Sequence, residues 1–309
     1  MGVRHHPPEQ LPRGFCVTEG RAAGLSSGQL RGIVYERHGR GLRSVAGAGL
    51  DAVELAAVMA RTHPRAALSH VTAARWWGFP SGWPPVESDV IHLTVPERSV
   101  RVRRPGVAAH QSRLLADEVV LDGGVRVTTP ARTWLDLAPE AGFVGLVVLG
   151  DHLVRIPRSG LDDRSDPLAS VADLQDLLHA HPRRKGVVLA RTALQAVRVG
   201  ADSPQETRLR LALAGAGLPP FEVNVPIHDE NGSRLHEPDL SSVRYRVAVE
   251  YEGAHHADPL QIDRDIRRAR RAADAGWIEV RISRTDLLGG GRSAVAVVRR
   301  ALIAHGWRP

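Results

Sequence analysis

Between Arg246 and Gly253 the chain alternates without a break, with Val247, Val249 and Tyr251 on one side and Ala248, Glu250 and Glu252 on the other. A side-chain period of two is that of a β-strand, so one face is apolar and the other carries both glutamates. Two carboxylates side by side repel unless a proton, water or a cation lies between them, and a divalent metal satisfies both. Pro238-Asp239 ends the preceding extended run and brings a third carboxylate next to Glu250 if the two strands pair. Three converging acids suit Mg²⁺, or Mn²⁺ in its place; such an ion takes oxygen ligands and shares its remaining positions with water and substrate phosphate. The chemistry this geometry fits is phosphodiester hydrolysis.

The surroundings extend the pattern. Ser203-Pro204-Gln205-Glu206 opens a helix to about residue 214, and extended segments follow over 222–228, 235–240 and 245–251. Asn231-Gly232 marks a hairpin turn between the first two. A helix over 259–275, a strand over 277–282 and a closing helix over 292–305 complete an αβββαβα order. Glu206 has two readings: a metal ligand, or one half of a capping box reaching back to the Ser203 N–H. Glu252 is either a site member or a solvated strand residue. His255 and His256 stand just past the strand, where a neutral imidazole can take a proton from attacking water or give one to the leaving oxygen. Arg264, Arg267, Arg268, Arg270 and Arg271, with Arg281 on the last strand, either hold a nucleic-acid backbone or form a solvated helix face.

Ser203-Pro204-Gln205-Glu206, Glu237-Pro238-Asp239, Val249-Glu250-Tyr251-Glu252-Gly253, His255-His256, Asp265-Ile266-Arg267, Gly276-Trp277 and Val280-Arg281 together resemble a known family. It is the endonuclease-like domain of uncharacterised function related to very-short-patch (Vsr-like) repair endonucleases, within the PD-(D/E)XK superfamily. The resemblance covers nearly all of 201–309 and implies a metal-dependent nuclease fold. Asp239 and Glu250 match the two core acids and Glu206 the helical acid, so the implied metal ligands are Glu206, Asp239 and Glu250. Glu252 stands where the superfamily has a lysine that orients water and stabilises developing negative charge. That cation would then come from His255, His256, Arg267 or Arg281, or catalysis is lost.

Towards the N-terminus a short helix is expected over 18–24, a turn at Gly24-Leu25-Ser26-Ser27 and a second helix over 27–36, followed by an extended segment over 42–45. This is helix-turn-helix spacing with a possible wing. Helices fit 52–61, 68–77, 130–138 and 143–154, and strands fit 90–95, 107–110 and 124–127. The stretches Val17-Thr18 to Leu25-Ser26, Leu68-Ser69-His70 and Thr128-Thr129-Pro130-Ala131-Arg132-Thr133 are similar to the winged-helix antitoxin-regulator region of abortive-infection type. That similarity covers about 15–140 and implies DNA binding through Ser27, Gln29 and Arg31.

A length of 309 residues suits two globular units. The expected division is a mobile arm over 1–14, a winged-helix-containing region over 15–155, a linker and helical connector over 156–200, and the nuclease-like domain over 201–309. Cys16 is the lone cysteine, which excludes an internal disulfide and a cysteine-cluster zinc site. No stretch approaches the roughly 18 consecutive apolar residues of a membrane helix, so no membrane partner is expected and the cytoplasm is the expected compartment. The net charge of +7 favours a polyanionic partner, with DNA expected, and its basic excess lies within residues 1–200. The α/β reading therefore ends in two functions: a Mg²⁺-dependent endonuclease with a DNA-binding N-terminal region, or a non-catalytic DNA-binding regulator with a degenerate nuclease fold. A protein-interaction module on the same fold is a third.

Overall fold

The computed structural model of the protein describes residues 11–80, 90–97, 102–158, 162, 164–253 and 259–309, the side chains of 259–266 excepted. The chain divides into two compact units, Met1–Glu140 and Ala141–Pro309, and each mixes helices with strands, in keeping with the α/β expectation. The division falls ahead of residue 155, and the segment 156–200 belongs to the second unit.

The first unit begins with β1 (Gly14–Cys16) and α1 (Val17–Ala22). Cys16 is buried as the N-cap of α1: its Sγ accepts the Glu19 N–H at 3.4 Å while Glu19 Oε2 accepts the Cys16 N–H at 2.7 Å. Strands β2 (Tyr35–Arg37) and β3 (Leu42–Val45) pair antiparallel, and β1 adds to β3 to give the order β1-β3-β2. The second helix expected over 27–36 is corrected here: Gln29–Arg31 form a single 3₁₀ turn and Tyr35–Arg37 are strand. Gly28 and Gly32 flank the turn and weaken a helix there, while Ile33, Val34 and Tyr35 favour the extended chain. Tyr35 is fixed in that strand by Phe15, whose ring meets it edge-on at 5.3 Å.

Next come α2 (Ala52–Arg61), capped by Asp51, then β4 (Ala67–Leu68) and α3 (His70–Trp76). β5 (Ile91–Pro96), β6 (Val107–Ser112), β7 (Val119–Asp122) and β8 (Val125–Thr128) join β4 in a five-stranded sheet of order β6-β5-β4-β8-β7. β7 has no counterpart in the sequence reading, because its outer residues are exposed and lack the in-out alternation that marks a strand. Helix α4 (Pro130–Val154) is broken at Gly142, where φ is 67°, which separates the two helices expected on either side. By length and composition α4 is the one described helix apolar enough to cross a membrane, yet 67% of its apolar window is buried inside the protein.

The second unit contains α5 (Val171–Ala180), α6 (Val187–Ala196) and α7 (Pro204–Gly215). Its strands are β9 (Glu222–Val223), β10 (Ile227–His228), β11 (Arg234–His236), β12 (Leu240–Ser242) and β13 (Val247–Glu252), then β14 (Ile278–Ser283) after α8 (Pro259–Asp274), with α9 (Leu288–Ala304) last. The main sheet has the order β14-β13-β12-β9, parallel between β13 and β14 and antiparallel elsewhere. Leu209 and Leu213 of α7 pack with Val247, Val249, Val298 and Leu302 on one face of it. Two of the three expected strands are each divided in two. Asn224, at φ 48°, turns the chain out of β9, and Pro238, which lacks an N–H, stands between β11 and β12. β10 and β11 form the separate hairpin that Asn231-Gly232 predicts.

Regular helix in α9 starts after Gly289, Gly290 and Gly291, all at positive φ. At Gly291, φ is 74° and an added Cβ would stand 2.9 Å from Cβ of Ala212 on α7. Gly291→Ala is therefore expected to destabilise the second unit by about 1–3 kcal/mol, read from urea unfolding at constant m-value. A loss below roughly 0.5 kcal/mol, the range of neutral surface changes, would show that this close approach relaxes freely.

Candidate metal centre

The β12–β13 ladder ends with Leu240 opposite Val249, and Asp239 and Glu250 are the next residues beyond that pair on either chain. The Asp239 carboxylate is fixed by the Tyr251 N–H, which donates to Oδ2 at 2.6 Å. Its backbone oxygen accepts the Asn224 N–H at 3.1 Å. Burial raises the Asp239 pKa to about 7, and the charges of Glu206, Glu250 and Asp202 push in the same direction against the Tyr251 hydrogen bond. Three other carboxylates thus act on Asp239 at the head of β12.

Glu206 is carried in from α7. Ser203 caps this helix by accepting the Glu206 N–H at 3.2 Å, but the return bond of a capping box is not made to Ser203. Glu206 Oε2 instead accepts the Asp202 N–H at 2.9 Å and lies 3.4 Å from the Asn224 amide nitrogen. The side chain is buried, and desolvation, with the Asp202 charge adding, raises its pKa. Arg158 pairs with Asp202 and, at 3.4 Å, with Glu237, which neutralises the outer rim. Asp202 and Asn224 escaped the sequence reading; Asp202 lies just ahead of the cap, and Asn224 reaches the acids only because its positive φ turns it out of β9.

Glu250 also faces a second group. His236 Nε2 lies 3.5 Å from Glu250 Oε1 and 3.6 Å from Glu279 Oε2. Both His236 ring nitrogens and these two oxygens are buried with no hydrogen-bond partner among the described residues. Orphaned buried polar atoms are costly, and a cation held by one nitrogen and two oxygens would satisfy three of the four. Arg268 already places a positive charge 3.6 Å from Glu250 Oε1. Glu279 was missed although the period-two rule, applied to β14, sets it and Arg281 on one face; His236 was missed because a lone histidine ending a short hairpin strand carries no pattern.

Glu252 is exposed and accepts from Arg281 Nη1 at 2.9 Å, and Arg281 also bonds Glu279 at 3.2 Å. Arg281 stands beside Glu250 in the parallel ladder. Arg267 is exposed on α8. His255 and His256, and the side chain of Arg264, lie outside the described residues. In the first unit Ser27 and Arg31 are exposed; Ser27 Oγ accepts from Arg21 at 3.2 Å. Gln29 is half-buried, its Oε1 accepting the Ser26 N–H at 2.7 Å, so it is engaged within its own turn rather than projecting from a helix.

Among the described residues the ligand atoms that lie within 4.8 Å of one another here are those of His236, Glu250 and Glu279, and the structure does not gather Glu206, Asp239 and Glu250 that closely. The acids offer oxygens suited to a hard divalent ion, and His236 a nitrogen that suits a transition ion better. The class so defined is a mixed α/β protein with a carboxylate-rich centre at the head of a four-stranded mixed sheet. The chain is 30% identical over 232 residues to uncharacterized protein Rv2248 of Mycobacterium tuberculosis strain H37Rv, across 74% of this chain and 78% of that protein. The same values relate it to uncharacterized protein MT2308 of strain CDC 1551. The chain belongs to the family of these two proteins. No family model matches the chain, and no solved structure matches it.

Proposed function

We propose that the protein is a metal-dependent nuclease whose second unit hydrolyses nucleic-acid phosphodiesters and whose first unit binds DNA. The observation that supports this reading is that Asp239 and Glu250 follow directly on the Leu240–Val249 pair, with the charges of Glu206 and Glu250 both acting on Asp239. Asp239 and Glu250 would hold Mg²⁺ or Mn²⁺, with Glu206 assisting. The ion, when bound, supplies Lewis acidity and a water of lowered pKa. The protein's own groups do the rest: Tyr251 N–H fixes the Asp239 carboxylate, His255 or His256 moves the proton, and Arg264, Arg267 and Arg281 hold the phosphate backbone. The +7 charge supports a polyanionic substrate, and the buried lone thiol suits the reducing cytoplasm.

The Glu252–Arg281 pair favours a second reading. Glutamate in place of the lysine cannot stabilise developing negative charge, and a domain so altered would serve as a non-catalytic DNA-binding regulator. Metal binding separates the two, because the regulator has no need of it. Calorimetric titration with Mn²⁺ is expected to show binding that tightens as pH rises from about 6 to about 8. The sign follows from Asp239: with a pKa near 7 it is protonated below that pH and must release a proton to bind. The metal-free protein should lose stability as pH climbs from about 4 to about 7, since the unfolded carboxyl releases its proton first. Asp239→Asn should flatten both profiles. Absence of Mn²⁺ and Mg²⁺ binding at pH 8 would abandon the nuclease for the regulator.

A further inference from the structure

The first unit holds a second set of metal-binding side chains that the nuclease reading does not use. His70 opens α3, His92 lies on β5 and His110 on the edge strand β6. β5 and β6 are parallel with Thr94 beside His110 and His92 beside Ala108, so His92 and His110 share a face of the sheet. That face is opposite the one on which Leu93 and Val95 join the hydrophobic core. His70 stacks on His110 at 3.7 Å between ring centroids, and His92 Nδ1 lies 3.1 Å from His110 Nε2. One ring nitrogen from each of the three lies within 4.8 Å of one from each of the others.

The His70 ring is held by neighbouring oxygens. His70 Nδ1 meets Ser69 Oγ at 3.0 Å and faces Asp136 Oδ2 at 3.9 Å. Ser69 Oγ in turn accepts from Thr94 Oγ1 at 2.8 Å. An oxygen at one nitrogen of a histidine fixes the ring and directs the other nitrogen to a metal. His70 is buried and at φ 51°, a conformation a non-glycine residue takes at a cost and keeps where the surroundings enforce it. The 3.1 Å approach of His92 to His110 requires one proton between two nitrogens, and a divalent ion can displace it.

We propose that His70, His92 and His110 bind a divalent transition ion, Zn²⁺, through three imidazole nitrogens, with Ser69 and Asp136 as positioning residues. Neutral imidazoles suit Zn²⁺ and leave Mg²⁺ without its preferred oxygens, so the ion chemistry differs from that of the acidic centre. Bound there, Zn²⁺ ties the edge strand β6 to the first turn of α3 and keeps a fourth position open to water or another donor. The proposal is independent of nuclease activity.

The test uses the full chain carrying Asp239→Ala and His236→Ala, which removes ligands of the other centre. Co²⁺, a spectroscopic stand-in for Zn²⁺, is titrated in by calorimetry and visible absorption, with circular dichroism and thermal melts recording that each variant is folded. The expected result is one Co²⁺ per chain, displaced by Zn²⁺ and not by Mg²⁺. In this background His110→Ala and His92→Ala should each abolish binding, and Ser69→Ala should weaken it by about tenfold or more. His110, half-buried on an edge strand, is the substitution most easily tolerated by the fold. A folded background chain that takes up no Co²⁺, or uptake unchanged by both His92→Ala and His110→Ala, overturns the proposal.

Discussion

Asp239→Ala and Glu250→Ala are each expected to cut Mg²⁺- or Mn²⁺-dependent cleavage by roughly a hundredfold or more, since loss of a residue merely supporting a ligand already costs 10–100-fold. The two acids follow directly on the last pair of the β12–β13 ladder, and in the proposed site each substitution removes one of the two core acids. Glu206→Gln should cost less, because its Oε2 is occupied by the Asp202 N–H and lies near the Asn224 amide, bonds a neutral side chain largely keeps. Single-stranded, duplex and mismatched DNA, together with RNA, form the substrate panel. Cutting that survives in both alanine variants would place the chemistry elsewhere; a wild-type chain that cuts nothing and binds no metal would leave the regulator.

The other large effect is expected in the first unit at Arg132. Its guanidinium is fully buried and reaches Asp136 at 2.8 Å, Ser112 Oγ at 2.8 Å, the Arg113 carbonyl at 3.0 Å and the Glu118 carboxylate. Removing one partner of a buried ion pair strands the others without water or counter-charge, so Arg132→Met should destabilise the fold by about 3–5 kcal/mol. Arg132→Lys should recover little, because an ammonium cannot present the planar fork that bonds two carboxylates and a hydroxyl together. Adding Glu118→Gln to Arg132→Met should restore part of the loss by removing one stranded charge. Denaturant unfolding of the three variants measures this, and an Arg132→Met loss under about 1 kcal/mol, that of an exposed pair, would show that the cluster is hydrated.

What the sequence made legible follows the reach of each physical rule. Period-two and period-3.6 patterns are local, and they located α2 at its observed bounds and β13 within two residues at its start. The pairing of β12 with β13 was readable because it needs only one assumption, that consecutive strands pair. The turn at Gln29–Arg31 was misjudged because helix spacing in a ten-residue window outweighed two glycines and a β-branched run whose preference is settled by a partner strand some ten residues further on. Asn224 and His236 were hidden because one joins the acids through a positive-φ turn and the other through a short hairpin strand, and neither leaves a periodic mark. Asp202 stands just ahead of a helix cap, and Glu279 carries the period-two mark but needs the parallel β13–β14 pairing to be brought beside Glu250. The histidines at 70, 92 and 110 are 18 to 40 residues apart, a spacing that corresponds to no ligand pattern along the chain; the sheet and the start of α3 together gather them.

The parallel pairing of β13 with β14 has a bearing on how such a centre is encoded. Arg281 lies level with Glu250 on the neighbouring strand and grips Glu252, so a positive charge stands within a few ångströms of the position where the resemblance asks for one, although it is encoded some thirty residues later. In a sheet, neighbourhood is set by register and not by order along the chain. A cation near the acids can therefore be encoded on the neighbouring strand, where a pattern written as consecutive letters does not record it, and here its charge is shared with Glu252 and Glu279.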